Sequence, residues 1–384
     1  MRFFLLLALS ASLLFAQGDS ARFSGTVVDP SGAVIPGAVV RVLNEKTGAS
    51  RELVTNEQGA FAFPSLSPST YTVSASFQGM APTEYSQIPL AVGQERTLQL
   101  TLVPARMQQS VTVSGGELAV VDTSSARVGA NVNEREVSSL PLNGRQVSQL
   151  YLLTPGAVSS GGGSFDNVRF SGRANQQNAT RIDGVENSAI VDASPGNLNG
   201  ESSSGFRLQN SLEIIQEFRV ESSNYPAEYG TGTGGQITLV TKSGGNGLHG
   251  SLFEYLRNNS MDARNFFDAE KSPLRLNQFG ASLGGPIIKN RLFFFGAFEA
   301  LRQRAGINII ETVPSQAARA RAVDSIRPVL GAFPAGTEAT ANPDLDLARL
   351  NASSPIDENF GFLRFDYRLS DRFQLSARYS RDQG

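Results

Sequence analysis

No cysteine occurs anywhere in the chain, and there is one histidine, His249. The first absence excludes disulfides, thiol chemistry and an N-terminal lipoprotein anchor, which needs a Cys acceptor. The second leaves no histidine pair for a zinc site. Charged residues make up only 18% and the net charge is −2, so no basic surface points to nucleic acid or anionic lipid. Beyond the N-terminus no apolar run approaches the ~20 residues a membrane-spanning helix needs. Glycine, by contrast, is plentiful at 38 residues. Many glycines with few charges suit a β-rich, turn-rich chain, and 384 residues suggest two or three domains.

Residues 1–16 read as a secretory signal, with Arg2 as the basic start and Phe3 to Phe15 as the apolar core. Cleavage is expected between Ala16 and Gln17. About thirteen apolar residues fall short of a bilayer span, which argues against a retained anchor. An exported chain without a later spanning helix is periplasmic, secreted or a β-barrel.

The C-terminal stretch carries a barrel-like pattern. Gly361, Leu363, Phe365, Tyr367 and Leu369 alternate with Phe362, Arg364, Asp366 and Arg368. After Ser370-Asp371-Arg372, Phe373, Leu375, Ala377 and Tyr379 alternate with Gln374, Ser376, Arg378 and Ser380. Successive strand side chains point to opposite faces, so each strand has one apolar and one polar side, and the short connection predicts an antiparallel hairpin. Aromatic-rich faces over polar ones, at roughly ten residues per segment, are how transmembrane β-strands read. Phe279, Ala281 and Leu283 alternate with Gln278, Gly280 and Ser282 in the same way, and Gly284-Gly285-Pro286 is expected to turn the chain. Phe293 to Phe298 is apolar on both faces, fitting either an interfacial girdle or packing against an inner domain. From about Gly306 to Asp357 a long polar loop is expected, with one helix-like run from Ser315 to Val329.

Nearer the N-terminus, residues 21–104 predict a β-sandwich. Tyr71, Val73, Ala75 and Phe77 alternate with polar residues, as do Leu98, Leu100 and Leu102, and turn residues punctuate short strands. The strings GTVVDPSGAVIPGAVVRVLNEKTG (25–48) and TNEQGAFAF (55–63) resemble the carboxypeptidase-regulatory-like, transthyretin-like domain. That resemblance implies no catalysis. Where the family has Pro-Gly before the tyrosine, this chain has Ser67-Pro68-Ser69-Thr70-Tyr71, which changes a turn and not the fold.

Residues 105–116 read as a linker containing a β-prone strip, Val111-Thr112-Val113, able to add to another protein's sheet edge or to serve as an ordinary linker or the first strand of the adjoining domain. Over 117–245 a compact α+β segment is expected. Asn133 is placed to cap a helix through Ser139; Val147, Leu150 and Tyr151 have helical spacing; Glu217 to Glu221 and Gln236 to Thr241 read as strands. The strings SLPLNGRQVSQLYLLTPGAV (139–158), RIDGVENS (181–188) and SLEIIQEFRVESSNYPAEYGTGTGGQITLVTKSG (211–244) resemble the plug of TonB-dependent outer-membrane receptors. LHGSLFEYLRNN (248–259) and NQFGASLGGPI (277–287) resemble the first barrel strands of that family. The order of motifs is similar to the Oar-like group, which places a carboxypeptidase-regulatory-like domain before the plug.

What the resemblance implies is a mainly β protein: a signal peptide at 1–16, the sandwich at 21–104, a linker at 105–116, a plug at 117–245, and the first strands and one outer loop of a barrel at 246–384. The implied barrel has about 22 strands closed around the plug. A chain with only about five such strands is expected to be the N-terminal fragment of that receptor. Its function would be uptake of a scarce solute, of siderophore or oligosaccharide class, at the cell outer membrane, powered through the TonB/ExbB/ExbD complex. Partners are thus that complex, outer-membrane lipid and a small ligand, with no nucleic acid, cofactor or metal. Val111, Thr112 and Val113 are the expected TonB box, and Asp183, Gly184, Tyr229, Gly230, Gly234 and Gly235 the plug-motif positions. A reading of another class is an exported carbohydrate-binding or adhesion protein that uses the sandwich.

Three patterns mimic chemistry. Gly230, Gly232 and Gly235 match G-x-G-x-x-G, yet a strand follows where a dinucleotide site needs a helix. Gly280-Ala281-Ser282-Leu283-Gly284 matches a hydrolase elbow, yet His249 precedes the serine and Ser282 lies on a strand. Asp183, Glu186 and Asp192 have cation-ligand chemistry but read as solvated loop carboxylates. No enzyme is expected.

Overall fold

A computed structural model describes residues 20–105, 111–114, 126–142, 145, 147–159, 168–186, 211–225, 229–230, 232–264, 271–370 and 373–383. The expected signal cleavage at Ala16 and Gln17 and the carboxylate Asp192 lie outside them. The chain divides into two compact units. One comprises Met1–Ser251, Ser282–Ala297 and Phe360–Arg381, and the other Leu252–Ala281, Phe298–Asn359 and Asp382–Gly384.

Within the first unit, ten strands open the chain: β1 (Ala21–Val28), β2 (Val39–Asn44), β3 (Ser50–Val54), β4 (Ala60–Leu66), β5 (Ser69–Ser76), β6 (Met80–Ala81), β7 (Thr83–Leu90), β8 (Glu95–Thr101), β9 (Val103–Pro104) and β10 (Val111–Ser114). They form a three-stranded sheet, β4-β1-β8, and a five-stranded sheet, β10-β7-β5-β2-β3, with β6 and β9 as a small pair. Alternation decides which side chains meet between the sheets. Phe23, Phe63, Val73, Ile88 and Leu100 are buried in one apolar core, where the Phe23 and Tyr71 rings meet edge to face at 5.7 Å. The β-prone strip at 111–114 belongs to the sandwich. Val111–Ser114 lies parallel to Thr83–Ser86 as an end strand of this sandwich sheet, and not as a strand of the sheet that comes after it.

A mixed sheet comes next, built from β11 (Val128–Val132), β14 (Ala179–Ile182), β15 (Val185–Glu186), β16 (Ile215–Ser223) and β17 (Gln236–Thr241), in the order β11-β16-β17-β14-β15. β12 (Ala157–Ser159) and β13 (Val168–Phe170) form a separate pair. Helix α1 (Glu134–Ser139) starts where the sequence places it. The Asn133 side chain accepts from the Glu136 N–H at 3.1 Å, and the Glu136 carboxylate accepts from the Asn133 N–H at 2.8 Å. These reciprocal bonds satisfy two otherwise orphaned donors. Helix α2 (Ser148–Tyr151) buries Leu150 and Tyr151, with the Tyr151 ring edge-on to Phe218.

The remaining strands are β18 (His249–Asn258), β19 (Leu274–Ile288), β20 (Leu292–Pro314), β21 (Glu338–Ala339), β22 (Leu345–Arg368) and β23 (Gln374–Gln383), ordered β18-β19-β20-β22-β21, with β23 also on β22. Among the described residues this sheet does not close on itself. Two expectations are corrected here. Gly284-Gly285-Pro286 does not turn the chain: β19 runs on to Ile288, and the reversal falls at Lys289 to Arg291. The glycine at 284 serves close packing instead, because a Cβ there would stand 2.8 Å from the His249 and Phe295 rings. The expected loop from Gly306 to Asp357 is also shorter, since β20 extends to Pro314 and β22 starts at Leu345. β20 and β22 are neighbours in the sheet, and side-chain bonds brace the base of their extension: Arg304 grips Asp357 through two bonds of 2.9 and 2.8 Å, and Arg302 donates to the Glu358 carbonyl at 2.7 Å. The helix-like run resolves into α3 (Gln316–Arg321) and α4 (Arg327–Gly331). Arg319 donates to the carbonyls of Pro314, Leu330, Phe333 and Pro334, which ties the segment together.

The ambiguous stretch after Leu292 is settled. Phe293, Phe295 and Ala297 are buried, whereas Phe298 is exposed. Phe295 packs edge-on to Phe362, and both join the mixed-sheet core with Phe218 and Leu239.

Candidate functional site

The turn after β14 positions the most connected carboxylate. Asp183 and Gly184 have φ values of 47° and 79° and join β14 to β15, where Ile182 faces Val185. Positive φ at both central residues is the demand of a tight hairpin turn, which Asp-Gly meets with little strain. The Asp183 N–H is held by the Leu239 carbonyl at 2.9 Å, so the side chain is aimed across the end of β17. One oxygen accepts from the Thr241 N–H at 2.8 Å and the other from its hydroxyl at 2.7 Å.

Two arginines from the long strands converge on the same group. Arg378 of β23 donates to Asp183 Oδ2 at 2.7 Å. Arg364 of β22 lies 3.4 Å from Oδ1 and donates to the Thr241 hydroxyl at 2.7 Å and carbonyl at 3.0 Å. Asp366 orients Arg364 through bonds of 2.9 and 3.1 Å, and Ser376 donates to Asp366 at 2.6 Å. Asp183 is therefore no solvated carboxylate, as the sequence suggested; its side chain is 19% exposed and paired with guanidinium groups. A cavity of about 360 Å³ adjoins it, lined in part by Ser67, Gln216, Thr241, Arg364 and Arg378. Partly buried charge pairs of this kind fix register and position more than they add stability.

The other plug-motif positions form a second cluster. β14 and β17 run parallel, with Ala179 opposite Gln236 and Ile182 opposite Leu239. Gly234 and Gly235 precede β17 and Asp183 follows β14, so the two clusters lie at opposite ends of this pair, roughly 16 Å apart at strand rise. At Gly235 a Cβ would fall 2.3 Å from the Phe170 ring, and at Gly234 2.5 Å from Asn178 Oδ1. Only glycine admits this approach. The Asn178 amide donates to the Val168 carbonyl and accepts from the Gly235 N–H. Tyr229 is buried, with the Arg181 guanidinium 4.7 Å above its ring. Gly230 has open space around it. The glycine run thus lets the backbone pass close against the Phe170 ring and the Asn178 side chain, and β17 follows it where a nucleotide fold has a helix.

Ser282 lies in β19, where its hydroxyl meets that of Ser251 at 2.7 Å, and Ser251 donates to Glu213 at 2.5 Å. His249 stacks on Phe295. Among the described residues no group of His, Asp and Glu is arranged to hold a metal.

Sequence reasoning missed a further buried acid. Glu217 on β16 accepts from the Val92 N–H of the sandwich at 2.7 Å. Burial raises its pKa to about 7, against the opposing effects of the Val92 N–H, the Asn131 side chain and Arg219. Strand alternation puts Glu217 on one face with Arg219 and Glu221, but no local signal reveals that a sandwich turn covers it. Arg364 and Arg378 stand on polar strand faces in the sequence as well. Their convergence on Asp183 depends on pairing across 181 and 195 residues of chain.

Comparison with known proteins agrees with this architecture. Residues 22–103 match the carboxypeptidase regulatory-like domain and residues 240–327 the outer membrane beta barrel domain. The chain is 28% identical over 310 residues to the TonB-dependent transporter Oar of Myxococcus xanthus, covering 76% of this chain and 27% of Oar. It thus spans about a quarter of the length of that curated relative. The ferric enterobactin receptor PfeA of Pseudomonas aeruginosa (an R480A mutant) is 17% identical, covering 68% of this chain and 34% of PfeA, with a TM-score of 0.42. For the siderophore receptor PirA of Acinetobacter baumannii the values are 17%, 66%, 32% and 0.39. The chain is a homologue of the Oar TonB-dependent transporter, mainly β, with a carboxypeptidase regulatory-like domain and an outer membrane β-barrel domain. Its location is the cell outer membrane.

Proposed function

We propose that this chain serves energy-coupled uptake of a scarce solute, of siderophore or oligosaccharide class, across the outer membrane. In this reading 21–104 is a periplasmic sandwich, 105–116 a linker, 117–245 a plug, and the strands from 246 onward part of the surrounding wall. The TonB/ExbB/ExbD complex supplies the energy by gripping Val111-Thr112-Val113, and the chain has no catalytic step of its own. An open sheet in lipid leaves edge N–H and C=O groups unpaired at several kcal/mol each, so transport requires further strands to close the wall.

The observation that carries this reading is the pair of arginines, Arg364 and Arg378, on Asp183. They join a hairpin turn of the mixed sheet to two strands of the wall. Such pairs suit a plug held at rest, because charge pairs can be released without unfolding either partner. Removing Asp183 leaves Arg378 and part of Arg364 without their anion, at roughly 1–3 kcal/mol for partly buried pairs.

The test uses the full-length receptor in cells with and without TonB, given labelled ferric siderophores and maltooligosaccharides. TonB-dependent uptake of a member of either set is the expected result; uptake of neither, or uptake unaffected by loss of TonB, overturns the reading. Asp183→Ala should raise sensitivity to large antibiotics several-fold, and Asp183→Glu should largely restore the wild-type barrier. An unchanged barrier in Asp183→Ala removes the holding role.

A further inference from the structure

A cavity of about 160 Å³ lies beside the turn between β2 and β3. Among the described residues four cations line it, Lys46, Arg51, Arg364 and Arg368, against one carboxylate, Asp366. Arg51 is engaged by the Pro64 carbonyl at 2.7 Å. Lys46 is held firmly at its backbone. Its N–H donates to the Asn44 side chain at 3.0 Å, and its carbonyl accepts from the Asn246 N–H at 3.0 Å. Its stem lies against Gly245, where a Cβ would stand 2.8 Å from Lys46 Cγ. The ammonium itself has no hydrogen bond or ion pair among the described residues. Both carboxylates that attract it are already taken. Glu134 pairs with Lys242 at 3.4 Å, and Asp366 binds Arg364 at 2.9 Å and Ser376 at 2.6 Å. Burial holds the Lys46 pKa below the ordinary lysine value; Glu134 and Asp366 oppose the shift, while Arg364 and Lys242 add to it. A largely buried cation without a partner is costly, and an anion beside it removes that cost.

We propose that this cavity is a phosphate-binding site, held by Lys46 of the β2–β3 turn and by Arg364 and Arg368 of β22. Arg368 is fixed in place: its N–H donates to the Arg291 carbonyl at 2.7 Å, and its guanidinium to the Gly48 carbonyl at 3.3 Å, in the same turn as Lys46. Guanidinium groups beside an ammonium suit phosphate better than a carboxylate, because phosphate offers more acceptor oxygens and a second negative charge. The excess of cations over Asp366 favours that second charge. The occupant is a soluble phosphate compound and not a lipid headgroup. Arg364, Asp366 and Arg368 share one face of β22, whereas Leu363 and Phe365 on its other face are exposed. With that sheet as the membrane wall proposed above, lipid meets the Leu363 face. Bound phosphate then bridges the β2–β3 turn and β22.

The test titrates the full-length receptor in detergent with inorganic phosphate by isothermal calorimetry, with chloride at matched ionic strength to account for screening. Saturable binding tighter than about 1 mM is expected, with a rise in melting temperature that chloride does not produce. Lys46→Gln should weaken binding about tenfold or more, and Lys46→Arg by less. Arg368→Gln should also weaken it, and carries the test should Lys46→Gln not fold. Melting in chloride shows whether each variant is folded; only the rise caused by phosphate should be lost. No binding at about 10 mM phosphate, or binding that both glutamine variants leave unchanged, overturns the proposal. Repeating the titration in phosphatidylglycerol vesicles separates the two sources. Phosphate binding of equal strength there supports the soluble occupant. Binding lost in vesicles and regained in detergent overturns it and gives the cavity to a lipid headgroup. None of these readouts involves TonB or uptake, so failure of this site and failure of the transport reading are told apart.

Discussion

β8 of the sandwich and β19 of the long-strand sheet alternate with the same period and opposite sign. Along β8, Leu98 and Leu100 are buried while Glu95, Thr97 and Gln99 are exposed. Along β19, Gln278 and Ser282 are buried while Phe279 and Leu283 are exposed. The backbone is the same pleated ribbon in both. With the long-strand sheet as the membrane wall proposed above, the difference is the medium each outward face meets, water in the first and hydrocarbon in the second. A buried polar residue is tolerable in the second only because it finds a partner, as Gln278 does with Glu299 at 2.5 Å.

Substitutions that give different results in the two regions put this contrast to work. Phe23→Ala should have the largest effect, at about 3–5 kcal/mol, since it deletes a fully buried ring and its edge contact with Tyr71. Chemical denaturation followed by near-ultraviolet circular dichroism measures it, and a cost below ~1 kcal/mol would mean the sandwich core is not close-packed. Leu283→Arg should cost roughly 1–4 kcal/mol when the full-length receptor folds into phospholipid vesicles, depending on depth in the bilayer. If the variant folds into vesicles as readily as wild type, Leu283 does not face lipid and the inversion fails at β19.

Glu217→Gln addresses the contact between sandwich and mixed sheet. Burial lifts the carboxyl to about 7 in the fold, above its ordinary value. Its stabilising contribution is therefore complete below that ordinary value and is lost as pH rises through about 7. The wild type should lose on the order of 3 kcal/mol or less across that window. The glutamine side chain can still accept from Val92 and carries no charge, so the variant should show a flatter profile and greater stability at neutral pH. Melting temperatures at about pH 4.5 and about pH 7.5, which bracket the window, check this. Identical profiles for the two proteins would show that Glu217 is not desolvated by the sandwich.

Much of the architecture was legible because it is written at short range. The apolar faces of β8, β19 and β22 follow from a two-residue period. The Asn133 cap follows from one side chain bonding to a backbone group three residues on. The candidate site was legible in fragments: Asp183, Gly184, Gly234 and Gly235 stood out, but as one motif when they form two clusters. Where local signals misled, a distant partner had changed the outcome. Gly284-Gly285-Pro286 carries turn residues, yet the strand runs on to Ile288 and the glycine at 284 leaves room for the His249 and Phe295 rings. Residues 306–314 and 345–357 read as polar loop, yet pairing with each other extends β20 and β22.

By itself the sequence determined which face of β5, β8, β19 and β22 is apolar, and where α1 begins. The tertiary structure alone decided that Arg364 and Arg378 meet at Asp183, that a sandwich turn covers Glu217, and that Val111–Ser114 lies along β7. The reason is physical. Side-chain periodicity and capping act over two to four residues and are fixed by the chain's own geometry, whereas these three contacts join residues distant in sequence that meet only when strands pair or separate sheets pack.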